Sequence, residues 1–140
     1  MFEKYHVFTK RELESHYEVF LEDYHRRIHI EGEVALEIAT SMIYPVVVQE
    51  YTKLAAAAAA GKAAGMKAGV KALSASAADL GAKLDELQVK SAALRKALGG
   101  LHEEILAAMA DLRVTVDSIE KNVSDESWPL PKYREMLFVY

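Results

Sequence analysis

The chain has 140 residues, a net charge of −4 with both signs interspersed, and no cysteine. That length makes one domain with a modest core, and the missing cysteines exclude disulfides and thiolate metal sites, which suits a cytoplasmic protein. No basic stripe suggests a nucleic-acid partner, no apolar run approaches the ~20 residues that cross a membrane, and MFEKYHVF lacks a signal-peptide core.

Residues 1–8 are a short lead-in without periodicity. From Thr9 to about 57 the pattern predicts a long helix. Apolar side chains recur at Leu13, Tyr17, Phe20, Tyr24, Ile28, Ala35, Ile38, Met42 and Val46, with Gln49 next in register. Thr9 and Glu12 have the spacing of a capping box. The part from Thr9 to about Lys53 alone would be roughly 65–70 Å long, more than a domain this size is wide. Gly32 and Pro45 oppose helix, and a bend near Met42–Pro45 is expected because the stripe continues beyond it. Val34, Leu36, Ile43, Tyr44, Val47 and Val48 fall outside the main stripe, so residues 34–48 are expected to be covered on more than one side. Companion helices of this chain, or protein beyond it, would do the covering.

An alanine- and glycine-rich link is expected over about 58–71, with Gly61, Gly65 and Gly69 weakening the helix. A second helix over about 72–98 carries a seam at Leu73, Ala77, Leu80, Leu84, Leu87, Ser91, Leu94 and Leu98. After Gly99-Gly100 a third helix, about 101–124, repeats it at Ile105, Met109, Leu112, Val116, Ile119 and Val123. The two glycines most simply make a tight antiparallel hairpin, with a bent continuous helix as the alternative. The tail 125–140 holds Pro129 and Pro131, which keep it extended, and enough apolar residues that it must dock on something. The expected fold is all-α: a long bent first helix packed with a helical hairpin, like a three-helix bundle, followed by an extended, proline-containing apolar tail.

Sites for chemistry are sparse. A phosphate loop fails because Ala56 and Ala63 stand where glycine and a hydroxyl residue are needed around Gly61-Lys62. His25 and His29 are one helical turn apart, but Arg26 replaces the glutamate of a zinc-protease motif and, with Arg27, disfavours a cation. Glu22-x-x-His25 and Glu3-x-x-His6 mimic half of a di-iron site without the partners on other helices. The Glu103-Glu104 and Asp125-Glu126 pairs read as surface charges. No catalytic, cofactor-binding or metal residue is assigned.

The tail is the recognisable part. Trp128, Pro129, Pro131, Tyr133, Leu137 and Phe138, in the run Trp-Pro-Leu-Pro-x-Tyr-Arg-Glu-Met-Leu-Phe, resemble the C-terminal signature of type III glutamine synthetases. Met109–Arg113 and Val116–Glu120 resemble the last long helix of that family. Phe8–Ser15, Tyr17–Glu22 and Arg27–Glu31 resemble the helix after its catalytic region. Gly32 and the alanine-rich run depart from the pattern. The resemblance implies a C-terminal helical domain of a bacterial, cytoplasmic, hexameric-ring ligase that joins ammonia to glutamate, with ATP and a divalent metal bound only in the parent's catalytic barrel, upstream of Met1. The chain itself would need no cofactor, and its partners would be its own catalytic domain and neighbouring subunits of a homo-oligomer. Self-association of the isolated chain is expected through residues 34–48. Two further readings stand beside this one: a free-standing helical-bundle module that self-associates, and a metal-dependent bundle enzyme.

Overall fold

A computed structural model describes residues 8–131 and Glu135. Among these the chain is helical, with no strand. Helix α1 runs Lys10–Glu37, a six-residue π-helical turn follows at Ile38–Ile43, and α2 continues as Tyr44–Ala63. Helices α3 (Val70–Ala97) and α4 (His102–Glu120) complete the fold.

Helix α1 starts where its capping box places it. The Thr9 N–H donates to Glu12 Oε2 at 2.8 Å, and the Glu12 N–H donates to Thr9 Oγ1 at 3.3 Å. Two donors that the first turn leaves without helical partners are thereby satisfied. The Thr9 bonds hold the Glu12 carboxyl below its ordinary range.

The π turn answers Pro45. Proline has no N–H for the Ser41 carbonyl, and its ring would press on that carbonyl in a regular α-helix. Widening the preceding turn relieves both, and Tyr44 N–H bonds to Ala39 O, five residues back. Thr40 Oγ1 donates to Leu36 O at 2.8 Å and Ser41 Oγ to Glu37 O, occupying carbonyls at the entry to the wide turn. The helix therefore passes the proline without ending.

That turn changes which side chains face inward. Five α-helical turns use about 18 residues. One residue more in the wide turn brings Val47, 19 positions on, beneath Ile28. Between Ile28 and Val47 the buried residues are Ile28, Gly32, Ala39, Ile43 and Val47. The expected stripe of Ile38, Met42 and Val46 is displaced by one at each position, and Met42 and Gln49 are exposed. Ile43 and Val47, read from sequence as lying off the stripe, are core.

The alanine run stays helical to Ala63, which shortens the expected link over about 58–71 to Ala64–Gly69. Gly65 ends α2 at φ 70°, where a side chain would be strained. Its N–H bonds to Lys62 O at 3.1 Å and Met66 N–H to Gly61 O at 3.0 Å, a Schellman stop. Gly69 takes φ 83° before α3 begins. Gly61 lies inside the helix, where a Cβ would come 2.8 Å from Val70 Cγ2, so the chain turns back with α2 and α3 almost touching.

Helix α3 returns antiparallel to the first helix, pairing Gln88 Nε2 with Tyr44 Oη at 2.7 Å and Gly81 with the Tyr51 ring. Helix α4 is antiparallel to α3. The Lys83 ammonium donates to Asn122 Oδ1 at 2.6 Å, Thr115 Oγ1 donates to Glu86 at 3.0 Å, and Lys90 pairs with Asp111 at 3.3 Å. Rising numbers on one side thus meet falling numbers on the other, and the Gly99-Gly100 joint is a tight hairpin rather than a bent helix. Of the two seams, Ala77, Leu80, Leu87, Ser91 and Leu94 are buried on α3, with Ile105, Leu112 and Ile119 on α4 and Val123 just beyond it. Thr115 is also buried, unforeseen from sequence, because its hydroxyl is satisfied by Glu86 across the hairpin. Trp128 joins the same core, and Ser127 Oγ donates to Glu50 Oε1 at 2.9 Å.

Two predictions follow from this packing. At Gly32 a Cβ would lie 2.8 Å from Ile105 Cγ2 and 2.9 Å from Leu98 Cδ2. Alanine there gains about 1 kcal/mol in helix propensity, while overpacking costs about 1–3 kcal/mol. Because Ile105 is buried and hemmed in, Gly32→Ala should lower the thermal midpoint; a rise would show that propensity wins. The second concerns Glu50, whose carboxyl is held below its usual 4.5 by hydrogen bonding to Lys53 and, more weakly, to Ser127, against an opposing effect of burial. A depressed native value adds stability above the unfolded value and loses it as pH falls through the native one. The midpoint difference between wild type and Glu50→Gln should therefore shrink as the solution is acidified from about pH 4.5 downward.

Candidate functional site

The hairpin is shorter than the helix it packs on. Lys10 to Ala63 is 54 residues, about 80 Å. Helix α3, 28 residues long, retraces only about 42 Å of that from the α2 end. Its far end reaches the level of Gly32, where Leu98 and Ile105 meet the first helix. Slightly farther out, three histidines close the tip. His25 and His102 stack with ring centroids 4.3 Å apart, Tyr24 meets the His102 ring edge-on at 5.8 Å, and His29 Nε2 is 3.1 Å from Leu98 O.

The sequence pairing of His25 with His29 is thus replaced by a face-to-face pairing of His25 with His102. His29 is turned to the end of α3 and to Glu33, at 3.7 Å. Among the described residues no group of three or more His, Cys, Asp or Glu side chains is placed to hold a metal ion. Glu22 is spent on Arg26, at 3.1 Å, and His25 Nε2 is buried without a hydrogen-bond partner in the described structure. These groups fasten the hairpin tip to the first helix.

Beyond the clamp, α1 continues for about 22 Å, from His25 back to Lys10. Every residue from Lys10 to Glu22 is exposed. Ion pairs of i,i+4 spacing, Lys10–Glu14, Glu22–Arg26 and Asp23–Arg27, support the overhang along with the capping box. Each contributes only a few tenths of a kcal/mol. The overhang nevertheless carries Leu13, Tyr17, Phe20 and Tyr24 on one face, with Tyr17 67% and Phe20 71% exposed. Phe8 and His16 extend the same surface, their rings 5.2 Å apart. A contiguous aromatic stripe of this kind marks a contact surface.

This changes where uncovered apolar surface lies. Sequence reading placed it at residues 34–48. There the hairpin buries Ala39, Ile43 and Val47, although Val34 and Met42 remain exposed. The larger bare face is at residues 8–24. The signal for it was available in the lengths: a hairpin of helices this short cannot sheathe a helix twice as long.

Of the tail residues singled out in the sequence, Trp128 is buried, Pro129 half-buried and Pro131 exposed. Tyr133, Leu137 and Phe138 lie outside the described residues. No helix among the described residues is long and apolar enough to cross a membrane.

The fold and its bare stripe define an all-helical domain with a protruding contact surface. Comparison with known proteins finds partial similarities. Residues 1–62 match the family model of the glutamine synthetase C-terminal domain. Over 152 aligned positions, covering 94% of this chain, the sequence is 26% identical to a glutamine synthetase of Bacteroides fragilis (strain YCH46). The chain spans only 20% of that relative's length. No solved structure matches.

The bare stripe yields a separable prediction. Tyr17→Glu with Phe20→Glu touches no buried side chain, so stability should change by no more than about 0.5 kcal/mol. In sedimentation at high concentration the wild-type chain should associate and the double variant should stay monomeric. A variant that associates as strongly as wild type would remove this surface from consideration.

Proposed function

We infer that this chain is the C-terminal helical domain of a type III glutamine synthetase, without a catalytic centre of its own. In this reading the domain supports the catalytic region and the contacts between subunits of a homo-oligomer in the cytoplasm. ATP, the divalent metal and the ligation of ammonia to glutamate belong to the parent's catalytic region. The observation that carries the reading is a coincidence of position. The aromatic stripe left bare by the chain's own bundle lies within the stretch that matches the family model. A helix that belongs to a larger body is expected to be covered by that body, and the relative is about five times longer than this chain's share of it.

A second reading, a free-standing helical module that self-associates, is favoured by the spacing of the same stripe. Leu13, Tyr17, Phe20 and Tyr24 alternate steps of four and three, as a coiled-coil seam does. The two readings separate at the gene. Coding sequence for a catalytic region running in frame into Met1 supports the first, and a stop codon immediately upstream supports the second. A calorimetric titration adds an independent check. The isolated chain should not bind magnesium-ATP at micromolar affinity, and saturable binding in that range would overturn the non-catalytic assignment.

A further inference from the structure

A cleft of about 330 Å³ lies between the π turn and α3. Thr40 and Tyr44 stand on one wall, with Gln88, Ser91 and Arg95 on the other. Gln88 is bonded to Tyr44, so Ser91 and Arg95, farther along the antiparallel α3, lie level with the π turn and the end of α1. Three polar groups here are left without partners. Ser91 fills a seam position otherwise given to alanine and leucine and is only 6% exposed. Its hydroxyl nevertheless makes no hydrogen bond among the described residues, a costly state for a buried group. Arg95 likewise forms no ion pair or hydrogen bond among the described residues. The third group is a carbonyl. Tyr44 N–H bonds to Ala39 O, and the next bond of that pattern would run from residue 45 to Thr40 O. Pro45 has no N–H to give, so Thr40 O lacks that donor.

We propose that this cleft binds a small amino acid as its zwitterion. The planar fork of the Arg95 guanidinium suits a carboxylate, and the Ser91 hydroxyl donates to the same group. The Thr40 carbonyl accepts from the ammonium. A simple anion would leave that carbonyl unmatched, and a simple cation would be repelled by the guanidinium. Ala39 and Leu87, both buried beside these groups, supply an apolar floor for the hydrocarbon part. The volume is at the low end for ligand sites, as a molecule of this size requires. The wide turn that lets the helix pass Pro45 thereby also builds one wall of a binding site. The cleft is separate from the overhang's aromatic stripe, so it does not depend on what covers that stripe.

The test is a titration of the full chain followed by amide chemical shifts, with L-alanine, acetate and methylammonium as separate probes. L-alanine should shift the Ser91, Ala92 and Arg95 amides saturably. Acetate should need roughly tenfold higher concentration, the loss expected with one hydrogen bond to a charged group, and methylammonium should not bind. Ser91→Ala and Arg95→Gln should each weaken L-alanine binding by roughly tenfold. Ser91→Ala should do so without lowering Tm, since it improves helix propensity and removes the unpaired hydroxyl. Arg113→Gln, on the exposed side of α4 and paired there with Asp117, should bind as wild type does. Absence of a saturable shift, acetate binding as tightly as L-alanine, or undiminished binding in either cleft variant would each overturn the proposal.

Discussion

Pro45 is the constraint on which the rest of the packing depends. It lies two-thirds of the way along a helix that the fold needs whole, and it can neither donate its bond nor accept a tight preceding turn. The π turn at Ile38–Ile43 keeps the helix continuous by adding one residue, and that residue rotates everything before it relative to everything after it. Ala39, Ile43 and Val47 thereby come onto the face that already holds Ile28 and Gly32. Without the wide turn the core face would drift around the helix, and one straight hairpin could not cover both halves. Gly32 then allows α3 and α4 to close on α1, while Gly61 lets the chain double back at the other end.

Two ends of the first helix therefore live under different regimes. From Tyr24 onward it is held by burial, with Ile43 and Val47 almost wholly enclosed and Leu80, Leu87 and Leu94 packed opposite. Each such side chain contributes about 1.5–3 kcal/mol relative to exposure. Before Tyr24 the described contacts are the capping box, surface ion pairs and the ring contacts of His16 with Phe8 and Phe20. Bare aromatic side chains on a segment with so little holding it make sense when another body covers them. The proposed place of the domain at the end of a glutamine synthetase supplies such a body, and it gives the three-histidine clamp a role as the boundary between the domain's own core and that contact.

Much of this was legible in the chain. The 4-and-3 steps at Leu80, Leu87 and Leu94, and again at Ile105, Leu112 and Ile119, specify two inward faces without knowledge of any neighbour. Thr9 and Glu12 mark the first helix's start by a local bond pattern. The Trp-Pro-Leu-Pro run resembles the tail of type III glutamine synthetases, whereas the match to the glutamine synthetase C-terminal domain model falls on residues 1–62. The stop of α2 was harder, because six alanines favour helix as strongly as the glycines oppose it, and the balance extended the helix to Ala63.

What the sequence alone determined was the class of fold, the number of helices and the faces of α3 and α4, since periodicity and capping are local properties. Tertiary structure decided the rest. Which residues around Pro45 turn inward depended on a one-residue change in helical phase, which no apolar pattern announces. Thr115 could be buried because Glu86 on another helix accepts the hydrogen bond its hydroxyl donates. The bare surface moved from residues 34–48 to residues 8–24 because coverage depends on where a hairpin begins and how far it reaches. Those are distances between elements, and a sequence records only the elements.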